Sequence, residues 1–172
     1  MGKNTRDLTN IALLVALALI ISLIELQIPV PVPIPGAKLG LSNIIILVSL
    51  YFYGFKTSLT IALLKSFMLV LITGAVTSFF YSAAGAILSS IAMAIALRYH
   101  NRLFSFIGVS EIGAFALNLG QIIVSTIIME NIKMFTYFPA LVLVGTFSGF
   151  FVGLSSNFII KHMKKIRVGE NV

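Results

Sequence analysis

The chain has 172 residues, 59% of them hydrophobic and only 10% charged, with a formal net charge of +7 and no cysteine. Soluble domains carry about 25% charged residues, so a surface this poor in charge is built to face lipid, in keeping with a mean hydropathy of +1.08. The missing cysteine excludes disulfides, thiolate metal sites and cysteine nucleophiles, and the positive charge gathers between apolar runs rather than along a nucleic-acid-binding face.

A bilayer core takes about 20 apolar residues per helix. The first run covers 8–28 and has no small-residue cleavage site, so it reads as a retained span rather than a signal peptide. Ala12 and Ala16 form an AxxxA spacing on it. Glu25 lies near its end, where the helix dipole disfavours an anion and a partner is required; Lys38 is the nearest cation in sequence.

Four of the five prolines follow, at Pro29, Pro31, Pro33 and Pro35. Alternating prolines favour an extended path and remove amide donors. Gly36 permits a turn, and Ser42 or Asn43 is placed to cap the next helix. The segment reads either as a stiff connector or as a rigid external flap beside a cavity.

The second span is 39–55. From 57 to 97 the only charge is Lys65, and the run is too long for one crossing. The stretch TGAVTS (73–78) divides it into spans of 57–73 and 78–98. Lys65 falls near the middle of its span, where an ammonium needs an acidic partner, helix-end carbonyls or an anionic ligand.

Spans at 105–129 and 138–160 complete a predicted bundle of six transmembrane helices in one domain, an all-α integral membrane protein. On the fifth, Glu111, Ala114, Asn118, Gln121 and Ser125 recur at spacings of 3 and 4, a small and polar stripe on an oily helix. Amides facing lipid are costly, so the stripe faces protein or a cavity, and interhelical hydrogen bonding would also explain it. Glu111, near Arg98 and Arg102, reads as structural. On the sixth, Gly145, Gly149 and Gly153 repeat GxxxG, a helix-packing signal.

Loop charge sets the orientation. With the N-terminus inside, the cytoplasmic side collects nine basic residues, Lys3, Arg6, Lys56, Arg98, Arg102, Lys161, Lys164, Lys165 and Arg167, against Lys38 and Lys133 outside. Both termini are therefore expected to be cytoplasmic, in a multi-pass protein of the cell membrane.

Asp7 is the only aspartate, and no acidic pair stands at helical spacing to hold the Mg²⁺ that prenyl-diphosphate chemistry requires. No P-loop is present to bind nucleotide phosphates. His100 and His162 are remote from the polar stripe, so it lacks a general base. A binding subunit without metal or cofactor fits these residues better than an enzyme.

The strings PGAKLGLSN (35–43) and FIGVSEIGAFALNLGQ (106–121), with six short spans, resemble the Gx transporter family, also labelled heptaprenyl diphosphate synthase component I. That family is similar to the S-components of energy-coupling factor (ECF) transporters. The resemblance rests most specifically on Gly36, Lys38, Leu39, Gly40 and Asn43, and on Asn118, Gly120 and Gln121. It implies an S-component-like bundle that captures a small molecule from outside, with the first external loop as a lid. It also implies a membrane coupling protein and cytoplasmic ATPases as partners, docked through Ala12 and Ala16. Two positions depart from the family pattern. Leu117 stands where a histidine is common and Lys65 where an arginine is, which weakens bidentate recognition of an anion.

The expected ligand-facing residues are Lys65, Asn118 and Gln121, with Glu25, Lys38 and Asn43 at the external mouth. The expected cargo is anionic or amphipathic, vitamin-like or related to isoprenoids and quinones. The alternative is a non-transport accessory subunit in prenyl-diphosphate or quinone synthesis, or in a membrane redox chain.

Overall fold

The structure, a computed structural model, describes residues 2–29, 38–100 and 103–169, with side chains for 8–29, 38–100 and 103–165. Most of the proline segment and Arg102 lie outside the described residues, as do the side chains of Lys3, Arg6 and Arg167. In chain order the helices are α1 (Gly2–Glu25), α2 (Asn43–Thr73), α3 (Val76–Arg98), α4 (Phe106–Ile128) and α5 (Phe138–Gly169), with a short 3₁₀ helix (Ile132–Tyr137) before the last. All five helices are long and apolar enough to cross a membrane, and the described residues contain no strand.

One glycine decides the course of α2. Its 31 residues are helical except at Gly54, where φ is 81° and ψ 178°, a conformation open to glycine and closed to most side chains. A continuous helix would hold Ser42 and Lys65 about 34 Å apart at 1.5 Å per residue. Instead Lys65 Nζ donates to Ser42 Oγ at 2.6 Å, and Ser58 Oγ donates to the Ile46 carbonyl at 2.9 Å. The chain therefore reverses at Gly54, and α2 is a hairpin of two arms, 43–53 and 55–73. The first arm starts four residues later than the predicted span because 38–42 is not helical.

Small residues set the helix spacing. A Cβ on Gly120 would lie 2.8–2.9 Å from three backbone atoms of Ala84 and Gly85, so α3 and α4 touch backbone to backbone there. None of those atoms can rotate away. Gly120→Ala is expected to cost about 1–3 kcal/mol as overpacking, read as a lower thermal unfolding midpoint in detergent. The α5 glycines face α4 as a ladder. Gly145 meets the Asn118 amide, Gly149 meets Ala114 and Glu111, and Gly153 meets the Ile107 backbone. This close approach uses the GxxxG repeat within the chain.

The bend at Gly54 lies at the same end of the bundle as the end of α3 and the start of α4. There Tyr51, Phe52, Leu97, Phe106, Ile160 and Met163 form one apolar cluster. Lys56, Arg98, Lys161, Lys164 and Lys165 stand on the elements that meet at this end. The apolar centre is built from Ile46, Leu47, Leu50, Ile61, Met93 and Val109. α1 is the least enclosed helix, with 17% of its apolar window buried.

Candidate functional site

Residues 38–42 carry irregular backbone into the bundle, where every amide and carbonyl needs a partner. All five helices supply a polar side chain to this strap or to the residue that follows it. From α1, Glu25 Oε1 accepts from the Gly40 N–H at 2.6 Å. From α4, the Gln121 amide pairs with the Lys38 backbone, accepting from its N–H at 3.3 Å and donating to its carbonyl at 3.4 Å. From α5, Ser148 Oγ donates to the Leu39 carbonyl at 2.8 Å. The second arm of α2 supplies Lys65 to Ser42 at 2.6 Å. Asn43 Nδ2 donates to Ser89 Oγ of α3 at 3.3 Å.

Gly40 makes this path possible. Its φ of 81° lies in the left-handed region, and a Cβ there would overlap the Leu117 side chain. The hydrogen bond expected of a capping side chain at the start of α2 is not made. Ser42 makes no side-chain cap: its backbone is helical (φ −63°, ψ −12°) rather than extended as a capping residue's is, and its hydroxyl accepts from Lys65.

The hub holds two cations and one carboxylate. Glu25 is the charged neighbour of both Lys38 and Lys65, so the three groups sum to a formal charge of +1. Lys65 is 6% exposed and Glu25 4%. Lys38 Nζ is buried without a hydrogen-bond partner among the described residues. Burial pushes the Lys38 ammonium below its ordinary pKa, and the Glu25 charge acts against that shift. The hydroxyls of Ser22 and Ser125, one helical turn from Glu25 and Gln121, are also buried without partners among the described residues.

Of the residues expected to face a ligand, Lys65 and Gln121 meet in this hub and Asn118 does not. The Asn118 amide donates to the Leu141 carbonyl of α5 at 2.8 Å, an interhelical tie beneath Gly145. Glu25, Lys38 and Asn43, expected at an external mouth, are drawn inward with the strap, and Asn43 is 6% exposed. Ser42 was expected only as a helix cap, and the helical Ser89 and Ser148 escaped sequence reasoning. A hydroxyl in a helix can satisfy itself on a carbonyl of its own preceding turn, so nothing in the sequence separates these serines from the others. Ala12 and Ala16 lie on the exposed face of α1.

Grooves open elsewhere on the bundle. One of about 600 Å³ runs along α2 and α3 between Leu50, Phe55, Ile91 and Ile95, with Arg98 at its rim. The described residues bring no three potential metal-ligating His, Asp or Glu side chains together.

These features define a multi-pass helical membrane protein with a buried, net-cationic polar hub. The chain belongs to the family described as heptaprenyl diphosphate synthase component I, whose model matches residues 14–159. That match spans both strings, 35–43 and 106–121, that carry the sequence resemblance. No curated protein and no solved structure matches the chain.

Proposed function

We propose that the protein is the substrate-capture subunit of an ECF-type importer, taking a small anionic or amphipathic molecule from outside and performing no chemistry on it. The observation that carries this reading is the uncompensated charge of the hub. A buried ammonium without a partner is expensive. A single anionic group placed against Lys38 and Lys65 would balance the net +1 left by Glu25. The unspent hydroxyls of Ser22 and Ser125 add donors near it.

In this reading the two arms of α2 count separately, which makes six membrane-entering segments. Basic residues on the elements meeting at the Gly54 end support placing that end, and both termini, in the cytoplasm of a cell-membrane protein. The strap then enters from outside, as a lid would. The exposed alanines of α1 suit close approach by a coupling protein. Ala12→Trp is expected to abolish co-purification of that protein and its ATPases while leaving ligand retention unchanged. A variant that keeps all its partners removes this docking face.

A second reading is favoured by the family description, which names a synthase component. The groove along α2 and α3 joins an apolar lining to one guanidinium, Arg98, a combination that would pair with a prenyl tail and its phosphate. It would suit an accessory subunit in prenyl-diphosphate or quinone synthesis. Native mass spectrometry of the complex, gently solubilised from its own membrane, separates the two. A coupling protein with two ATPases and a bound small anion is the expected result. A prenyl-lipid enzyme or redox partner without an ATPase would overturn the importer.

A further inference from the structure

At the end of the bundle where the chain turns at Gly54, a cleft of about 520 Å³ opens between the start of α4 and the last turns of α5. It shares no residue with the hub. Phe104, Phe106, Ile107 and Ile160 form its apolar wall, and His100, Asn157, Lys161 and Lys164 its polar one.

The polar wall is ordered. Lys164 Nζ lies 4.7 Å above the Tyr51 ring, a cation–π contact that steadies the chain and leaves its N–H donors for another acceptor. Lys161 sits three residues earlier on the same helix face. The His100 ring packs on Phe106 with centroids 4.0 Å apart, and its Nδ1 lies 3.0 Å from the Phe104 carbonyl. A carbonyl only accepts, so Nδ1 carries the hydrogen and Nε2 presents an acceptor lone pair, suited to a headgroup hydroxyl rather than to the phosphate itself.

The charge here is unopposed among the described residues. Glu25 lies in the hub, Glu111 lines a different groove along α4 and α5, and Glu130 follows the far end of α4. Two ammonium groups and the donor side of a primary amide thus converge on a space that is apolar on its other side. A phosphate satisfies the first set, and the glycerol and upper acyl carbons attached to it satisfy the second.

We propose that this cleft is a binding site for the phosphate headgroup of an anionic phospholipid, separate from the hub that takes the cargo. The same phosphate chemistry is available in a free anion, and the experiment distinguishes the two sources. The full chain is placed in phosphatidylcholine nanodiscs containing a minor fraction of phosphatidylglycerol, and retained lipid is read by native mass spectrometry. The double variant Lys161→Gln, Lys164→Gln is expected to lose about 10-fold in retained phosphatidylglycerol. Lys165→Gln, which removes the same charge one residue beyond the cleft wall, is expected to lose none.

Both lysines of the double variant are exposed, and an unchanged thermal midpoint in neutral detergent certifies its fold. Equal loss in Lys165→Gln would mean diffuse attraction to the basic tail and would overturn the site, as would no loss in the double variant. Inorganic phosphate is then titrated onto the wild type. Failure to displace the lipid assigns the site to the membrane. Displacement at low millimolar phosphate keeps the phosphate site and makes its source a soluble anion.

Discussion

Lys65→Met is expected to weaken binding of an anionic ligand about 100-fold while the bundle stays folded. Breaking one buried charge contact costs about 2–5 kcal/mol in binding, and about 1.4 kcal/mol is a factor of ten. Lys65 is enclosed by protein and donates to Ser42. Methionine has a similar length and no charge, so the space remains filled. The variant hub keeps Glu25 and Lys38, one charge of each sign, and its attraction for an anion falls away.

The loss should appear in titration calorimetry, or as absence of the co-purified ligand. Thermal unfolding of the same sample reports the fold. Affinity equal to wild type in a folded Lys65→Met protein would take Lys65 out of the site. The same result for Lys38→Met would leave the hub a purely structural device, because no cation would then be needed to hold the ligand.

Gly40→Ala carries the largest expected effect on the strap. An L-residue in the left-handed region costs about 1–2 kcal/mol. The new methyl group also overlaps Leu117, and overpacking adds about 1–3 kcal/mol. The strap is expected to leave its place, so the Glu25 carboxylate and the Gln121 amide lose their backbone partners together. Stability and ligand retention should both fall.

A double-mutant cycle separates the two contributions. Adding Leu117→Ala to Gly40→Ala relieves the overlap and leaves the backbone strain, so the double variant should recover part of the loss relative to the additive expectation. Measured thermal midpoints decide it. A Gly40→Ala protein as stable as wild type would contradict the inward path of residues 38–42.

Several features were legible from residue order. The apolar runs marked the five long helices, with the predicted spans 39–55 and 57–73 both falling within α2, because the cost of placing a segment in lipid is close to a sum over its residues. The TGAVTS break falls where α2 ends at Thr73 and α3 begins at Val76. The GxxxG repeat and the α4 stripe were visible as spacings, and both face neighbouring protein. Their targets were not visible. Asn118 and Gln121 stand three residues apart on one stripe, yet one ties α4 to α5 and the other holds the strap.

The sequence by itself determined that this chain belongs in a membrane and which few polar side chains would have to be satisfied there. Hydrophobic transfer is local and additive, so it can be read along the chain. Only the tertiary structure decided which of those groups meet. Glu25 finds an N–H 15 residues away, Lys65 a hydroxyl 23 residues away, and Gln121 a backbone pair 83 residues away. The turn at Gly54 and the inward bend at Gly40 make those meetings possible. Glycine permits a positive φ without requiring it. The choice is made by the buried partners that the reversed chain brings within hydrogen-bonding distance.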